Sequence, residues 1–231
     1  MHASMAVYDA FCDRVPVLVL GGSGPVDPAL RRPVDWTHSA TTQAQLVRDF
    51  VTWDAEPATI DPQKTSFLDG LTFAMMVYQP LLSFDLEGNP IPAGAESYEV
   101  SEDGLVYTFK IPADSKYSDG SPLTAQNYEY AWKRLGDPAT AGDYQSLPCG
   151  IIKGYDEYSA TTCLGAETAP ENIDELRDAL GVRAIDDQTL EIELTAPAPY
   201  FASMAATWVG LPVREEDAAK GEDWWFDTAN V

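Results

Sequence analysis

Apolar residues follow two different rhythms along this chain. Through the first fifty residues, Ala3, Val7, Tyr8 and Phe11 recur at helical spacing. Val15-Pro16-Val17-Leu18-Val19-Leu20 is a continuous apolar run, as in a parallel strand buried on both faces. The turn Gly21-Gly22-Ser23-Gly24-Pro25 and a short helix over 40–49 complete an α/β pattern too brief to close a sheet. From Phe50 the pattern changes. Phe50-Val51-Thr52-Trp53 reads as a strand, and Glu56 to Pro62 as a proline-bounded extended loop. Leu71, Met75 and Tyr78 mark a helix running into Gln79-Pro80-Leu81-Leu82-Ser83-Phe84-Asp85. Residues 97–101 and 105–111 form an antiparallel pair around a Glu102-Asp103-Gly104 turn. Thr124 is a suitable N-cap for a helix carrying Tyr128, Trp132 and Leu135. Residues 143–180 read as helix and loop. A hairpin over 182–194 turns at Asp186-Asp187, with Ile185, Leu190, Ile192 and Leu194 facing a core. A last helix begins at Pro199-Tyr200-Phe201. The fold class that follows is α+β.

Charge divides the chain at the same place. Residues 1–53 carry 4 Lys/Arg against 5 Asp/Glu, whereas 54–231 carry 10 against 32, so nearly all of the net charge of −23 lies in the longer part. So acidic a surface repels phosphate backbones and excludes nucleic acid as a partner. No run reaches the ~20 apolar residues of a membrane span. The apolar run at 15–20 has Asp9, Asp13 and Arg14 before it instead of a basic region, so it reads as a strand and not a signal peptide.

Recognisable catalytic chemistry is sparse. The two histidines, His2 and His38, both precede the join, and no Gly-x-Ser-x-Gly or Walker lysine loop occurs. Glu215-Glu216-Asp217 reads as a solvated helix start and Asp186-Asp187 as a hairpin tip. The Gly21–Pro25 turn lacks the spacing and the acidic partner of a dinucleotide site. No cofactor or metal is expected. Cys149 and Cys163 share one loop-rich segment, either bonded in an oxidising compartment or left as two small buried thiols. A bridge there would contribute about 3 kcal/mol. Aromatic residues are dense in the longer part. Tyr117, Tyr128 and Trp132 are the candidate ligand contacts, since such side chains can line a wet cleft; the competing reading puts them in the core.

Two resemblances meet at the join. Glu56-Pro57-Ala58-Thr59-Ile60-Asp61-Pro62 opens an ordered series of motifs. It continues with Pro80-Leu81-Leu82…Asp85…Gly88, Ala95-Glu96-Ser97-Tyr98-Glu99-Val100-Ser101, Asp103-Gly104-Leu105-Val106-Tyr107-Thr108-Phe109, and Ser118-Asp119-Gly120-Ser121-Pro122-Leu123-Thr124-Ala125. An aromatic helix ending in Lys133-Arg134 follows. This series resembles the family 5 extracellular solute-binding proteins of ABC transporters, over residues 51–231 and roughly the first third of a family member. Residues 1–50, through Cys12-Asp13-Arg14, the following strand and turn, Arg31-Arg32-Pro33 and Asp35-Trp36-Thr37-His38, are similar to part of the N-terminal domain of thiamine-diphosphate enzymes of the acetolactate synthase type. The chain therefore reads as a chimera.

The first resemblance implies part of a two-lobed periplasmic-binding-protein-like fold, extracytoplasmic in its family, that encloses a peptide or other small solute and delivers it to an ABC permease. One lobe alone would make one-sided contacts, and a micromolar complex that lost half its interaction energy would bind only at millimolar concentration. The second resemblance implies no activity, because the cofactor-activating glutamate and the metal motif of that family lie outside the part matched. The expected function is that of a non-catalytic, truncated peptide-binding component. The alternatives are an inactive enzyme fragment or a chimera without function.

Overall fold

The computed structural model describes residues 59–66, 68–221 and 224–226, all within one unit, Pro57–Val231. The predicted elements of residues 1–58 lie outside the described residues. Helix α1 (Leu68–Val77) leads into a short antiparallel hairpin of β1 (Leu82–Phe84) and β2 (Pro90–Pro92). Strands β3 (Ser97–Val100) and β4 (Val106–Lys110) follow, and then α2 (Ala125–Gly136). Short helices α3 (Tyr155–Tyr158), α4 (Ala160–Cys163) and α5 (Ile173–Ala179) precede strands β5 (Val182–Asp186) and β6 (Thr189–Glu193). Helix α6 (Phe201–Ala205), a 3-10 turn (Trp208–Gly210) and α7 (Glu215–Ala218) come after them. The main sheet has the order β3-β4-β6-β5, antiparallel throughout.

Alternation fixes the faces of that sheet. Tyr107, Phe109, Leu190, Ile192 and Val182 point inward and are buried, while Glu99, Thr108, Glu191 and Arg183 line up across the four strands on the other face. A slip of one residue would exchange the two sets, so burial pins the register. Helix α2 covers the inner face with Tyr128, Ala131, Trp132 and Leu135, residues at i, i+3, i+4 and i+7. At its start Asn127 Oδ1 accepts the Thr124 backbone N–H at 2.9 Å, satisfying a terminal donor. Phe201 of α6 closes the core, 5.0 Å from Tyr107 edge-on and 6.0 Å from Trp132. The exposed edge at β5 is partly blunted: the Ala184 N–H donates to Glu129 Oε2 on α2 at 3.1 Å.

Two expectations need correction. Alternation along β5 puts Val182 on the inner face and Arg183 on the outer one, so Ile185 falls on the outer face, 55% exposed, and Val182 supplies the buried position instead. Helix α1 buries Gly70 and Ala74, and Tyr78 is buried just past its end as expected, but Met75 is exposed because the buried stripe runs through Ala74 instead. The hairpin β1–β2 was not anticipated, because Pro90 and Pro92 argue against a strand except at an edge. The helix at Phe201 is five residues long and is followed by α7 and a 3-10 turn at Trp224–Phe226.

The core has two parts. The larger lies between sheet and α2, and the smaller gathers Ala74, Tyr78, Leu211, Val213 and Trp224. The turn Trp208–Gly210 joins them, with Val209 in the first and Leu211 in the second. Gly210 permits this, since a Cβ there would sit 2.6 Å from the Trp132 indole.

Candidate functional site

Side chains of opposite charge that the sequence holds far apart meet at the edge of the smaller core. Pro62 begins a turn in which Asp61 accepts the Gln63 N–H through Oδ1. This points the Asp61 carboxylate at Arg134 near the end of α2. Arg134 donates to both Asp61 oxygens, at 2.6 and 2.5 Å, and to Gln63 Oε1 at 2.7 Å. Trp224 Nε1 donates to Asp61 Oδ2 at 3.1 Å, and Gln63 Nε2 donates to the carbonyl of Leu211 at 3.1 Å. Burial works against the Arg134 charge, but the hydrogen bonds and charge of Asp61 outweigh it and hold its pKa above the ordinary range. Two of the motif pieces read from the sequence, Ile60-Asp61-Pro62 and Lys133-Arg134, thus form one buried ion pair. Nothing in the local sequence of either residue, Asp61 before Gln63-Lys64 and Arg134 after Lys133, marks it as half of a buried pair.

A second charged centre also borders the smaller core. Arg214 is nearly buried and pairs with Asp119 at 2.6 Å and Asp217 at 2.5 Å. Lys220 reaches Asp217 at 2.7 Å. Hydrogen bonds from Ser121 and Arg214 hold the Asp119 carboxyl well below the usual range. Asp217 is 3% exposed, so it is a paired core carboxylate and not part of a solvated helix start; Glu215 and Glu216 are exposed as expected.

The three aromatic candidates are buried in this structure. Tyr128 and Trp132 are fully buried in the larger core, where Tyr128 Oη donates to the Gln79 carbonyl at 3.0 Å. They offer no surface to a ligand in this arrangement. Tyr117 is 9% exposed and lies beneath Arg214, whose guanidinium carbon is 4.7 Å from the ring centre. A groove of about 600 Å³ elsewhere on the surface is lined by charged side chains, among them Lys64, Glu129, Lys133, Asp137, Arg177 and Glu215. Lys133 and Glu129 pair across one helical turn at 2.7 Å. Tyr158 also lines this groove, and burial pushes its phenol up to about 12. Beside the segment 59–66, Ser66 hydrogen-bonds Asp143, and the half-buried Tyr144 meets Trp208 edge-on at 5.0 Å.

Cys149 and Cys163 are bonded, with their Cα atoms 5.6 Å apart. Tyr155 and Tyr158, both buried, anchor the enclosed loop, and Tyr155 Oη donates to the Gln145 carbonyl at 2.9 Å.

An antiparallel sheet covered by one long helix, joined to a second small core by buried ion pairs, is an α+β portion of the periplasmic-binding-protein-like fold. Residues 89–230 match the model of the bacterial extracellular solute-binding proteins, family 5, and the chain belongs to that family. The periplasmic oligopeptide-binding protein OppA of Escherichia coli K12 is 36% identical over 178 residues, 77% of this chain and 30% of that protein. The probable deoxycholate-binding periplasmic protein YgiS of the same organism is 31% identical over 177 residues, 77% of this chain and 31% of that protein. The structure of Listeria monocytogenes OppA bound to peptide superposes with a TM-score of 0.63 at 31% identity, over 74% of this chain and 31% of that one. The chain spans about 30% of the length of the curated relatives it matches.

Proposed function

We propose that residues 51–231 form one portion of the substrate-binding component of an ABC importer that takes up peptides. Its work is binding and release, without catalysis, and its partner is the importer's permease. The observation that carries this reading is the family 5 match over residues 89–230, joined to a fold shared with a peptide-bound relative. The YgiS likeness widens the range of solutes, but the oligopeptide-binding relative is more similar, at 36% against 31% identity. An extracytoplasmic location agrees with the Cys149–Cys163 bond, since disulfides persist in oxidising compartments. Residues 1–50 are on this reading related to a thiamine-diphosphate enzyme domain and lie outside the solute-binding portion.

A segment exchange tests the proposal. Residues 59–226 replace the matching segment of the E. coli oligopeptide-binding protein, and calorimetry with short peptides follows. Micromolar, one-to-one binding by the hybrid is the expected result. A folded hybrid that binds no peptide would overturn the reading.

A further inference from the structure

We propose that Cys149 and Cys163, once reduced, form with Asp156 a binding site for a thiophilic divalent cation, which the disulfide masks. One ligand atom from each of the three residues lies within 4.8 Å of the other two, and all three residues are half-buried, within reach of solvent. Asp156 is held independently of the sulfurs, because its Oδ1 accepts the Gly150 N–H at 2.6 Å. The backbone carrying the cysteines is also fixed without the bond. Cys163 N–H donates to the Ser159 carbonyl at 2.8 Å, Thr195 N–H to the Ile151 carbonyl at 2.8 Å, and the loop is anchored by the buried Ile152, Tyr155 and Tyr158.

Breaking the bond therefore leaves two thiols in place. With metal–sulfur distances of about 2.3 Å, a tetrahedral ion holds its two sulfurs roughly 3.8 Å apart, which side-chain rotation can reach from the present backbone spacing. The donor set is two thiolates and one carboxylate, with a fourth position open to water. Thiolate ligands favour zinc or cadmium over magnesium or calcium, and the acidic residues of this part of the chain draw cations toward it. The chemistry balances with a dithiol as reductant. The dithiol gives two electrons and two protons to the Cys149–Cys163 bond and closes into its own disulfide; the cation then displaces both thiol protons.

The test uses the full 231-residue chain carrying Cys12→Ser, reduced, desalted without oxygen, and titrated with cadmium. The expected result is a cadmium–thiolate charge-transfer band that saturates at one equivalent and persists in excess magnesium. The oxidised protein should show no band. Asp156→Asn should keep the band and weaken cadmium binding at least about tenfold, the loss that even an outer hydrogen-bonding partner of a ligand can cause. Cys149→Ser should abolish saturation, with far-ultraviolet circular dichroism confirming the fold. No saturable band in the reduced protein, or equal cadmium affinity in the oxidised one, would overturn the site. Unchanged affinity in Asp156→Asn would overturn the assignment of its carboxylate.

Discussion

The two cores meet at Gly210 yet are built on opposite principles. The larger is apolar across its whole contact, Phe109, Leu190 and Ile192 against Trp132, Leu135 and Phe201. The smaller is a thin layer of Ala74, Tyr78, Leu211, Val213 and Trp224 edged by two charged centres. One is held by area removed from water, and its energy is spread over many contacts. The other depends on a few groups whose charges are buried and must stay paired. Damage to the first should be graded, and damage to the second abrupt.

The sharpest way to break this contrast is to remove one charge. Asp61→Ala leaves the Arg134 guanidinium, 12% exposed, without its bidentate acceptor. We expect a loss of about 3–5 kcal/mol in urea unfolding. The double replacement Asp61→Leu with Arg134→Met should recover most of it, since no uncompensated charge then remains. In the apolar core the outcome is reversed. Phe109→Ala costs about 3–5 kcal/mol through its cavity, and a second truncation at Phe201 deepens the loss. A double replacement at 61 and 134 no more stable than Asp61→Ala would erase the distinction between the cores.

A smaller effect appears in alkali, where both cores contain tyrosines that resist ionisation for different reasons. Tyr128 is raised by burial alone. Tyr78 is raised by burial and then by the neighbouring Asp61 charge, which Arg134 partly offsets. Tyr158, pushed up to about 12, marks the window. A phenol whose folded pKa lies above its unfolded value keeps its proton longer in the folded state. Its stabilisation is therefore complete below the unfolded value of about 10 and is lost as pH rises through the folded value. Urea midpoints should be flat below pH 10 and fall steadily to pH 12. Tyr158→Phe should flatten part of that fall, since a phenylalanine has no proton to lose. A midpoint unchanged across the window would contradict the burial argument.

The junction between the cores gives the next test. At Gly210 a methyl group would press into the Trp132 ring at 2.6 Å. Gly210→Ala should cost about 1–3 kcal/mol by overpacking. Trp132→Phe in the same background should relieve part of that cost by removing the benzo ring of the indole. If the two changes add without relief, the contact does not join the cores.

How much of this was legible in the sequence follows the same division. The apolar core could be read in place, because Tyr128, Trp132 and Leu135 repeat at helical spacing and Leu190 and Ile192 alternate, both local signals. Ile185 is outward because Val182 and Ile185 fall on opposite faces of one strand, and spacing alone does not say which of the two is buried. The charged core was illegible by nature. Asp61 finds Arg134 73 residues away and Trp224 163 residues away, and no periodicity links such positions. The family resemblance preserved these residues as motif pieces without saying that they touch. For the site, the burial of Tyr117, Tyr128 and Trp132 was illegible for a related reason. A tyrosine or tryptophan has the same composition whether it lines a cleft or fills a core, and only burial separates the two.

The smallest effect sharpens the comparison most cleanly, because distance is nearly held constant. Lys153 Nζ lies 2.7 Å from Glu193 Oε1, close to the 2.5 Å separating Arg134 from Asp61. The side chains of Lys153 and Glu193 are 57% and 33% exposed, whereas those of Arg134 and Asp61 are 12% and 1% exposed. Water already solvates the first pair and salt screens it, so little free energy depends on contact. Lys153→Met, which keeps the aliphatic stem, should therefore change stability by less than about 1 kcal/mol. That change should shrink further in molar salt, while the Asp61→Ala loss should hardly move. If both losses respond equally to salt, burial is not what separates the two pairs, and the smaller core owes its stability to ordinary packing.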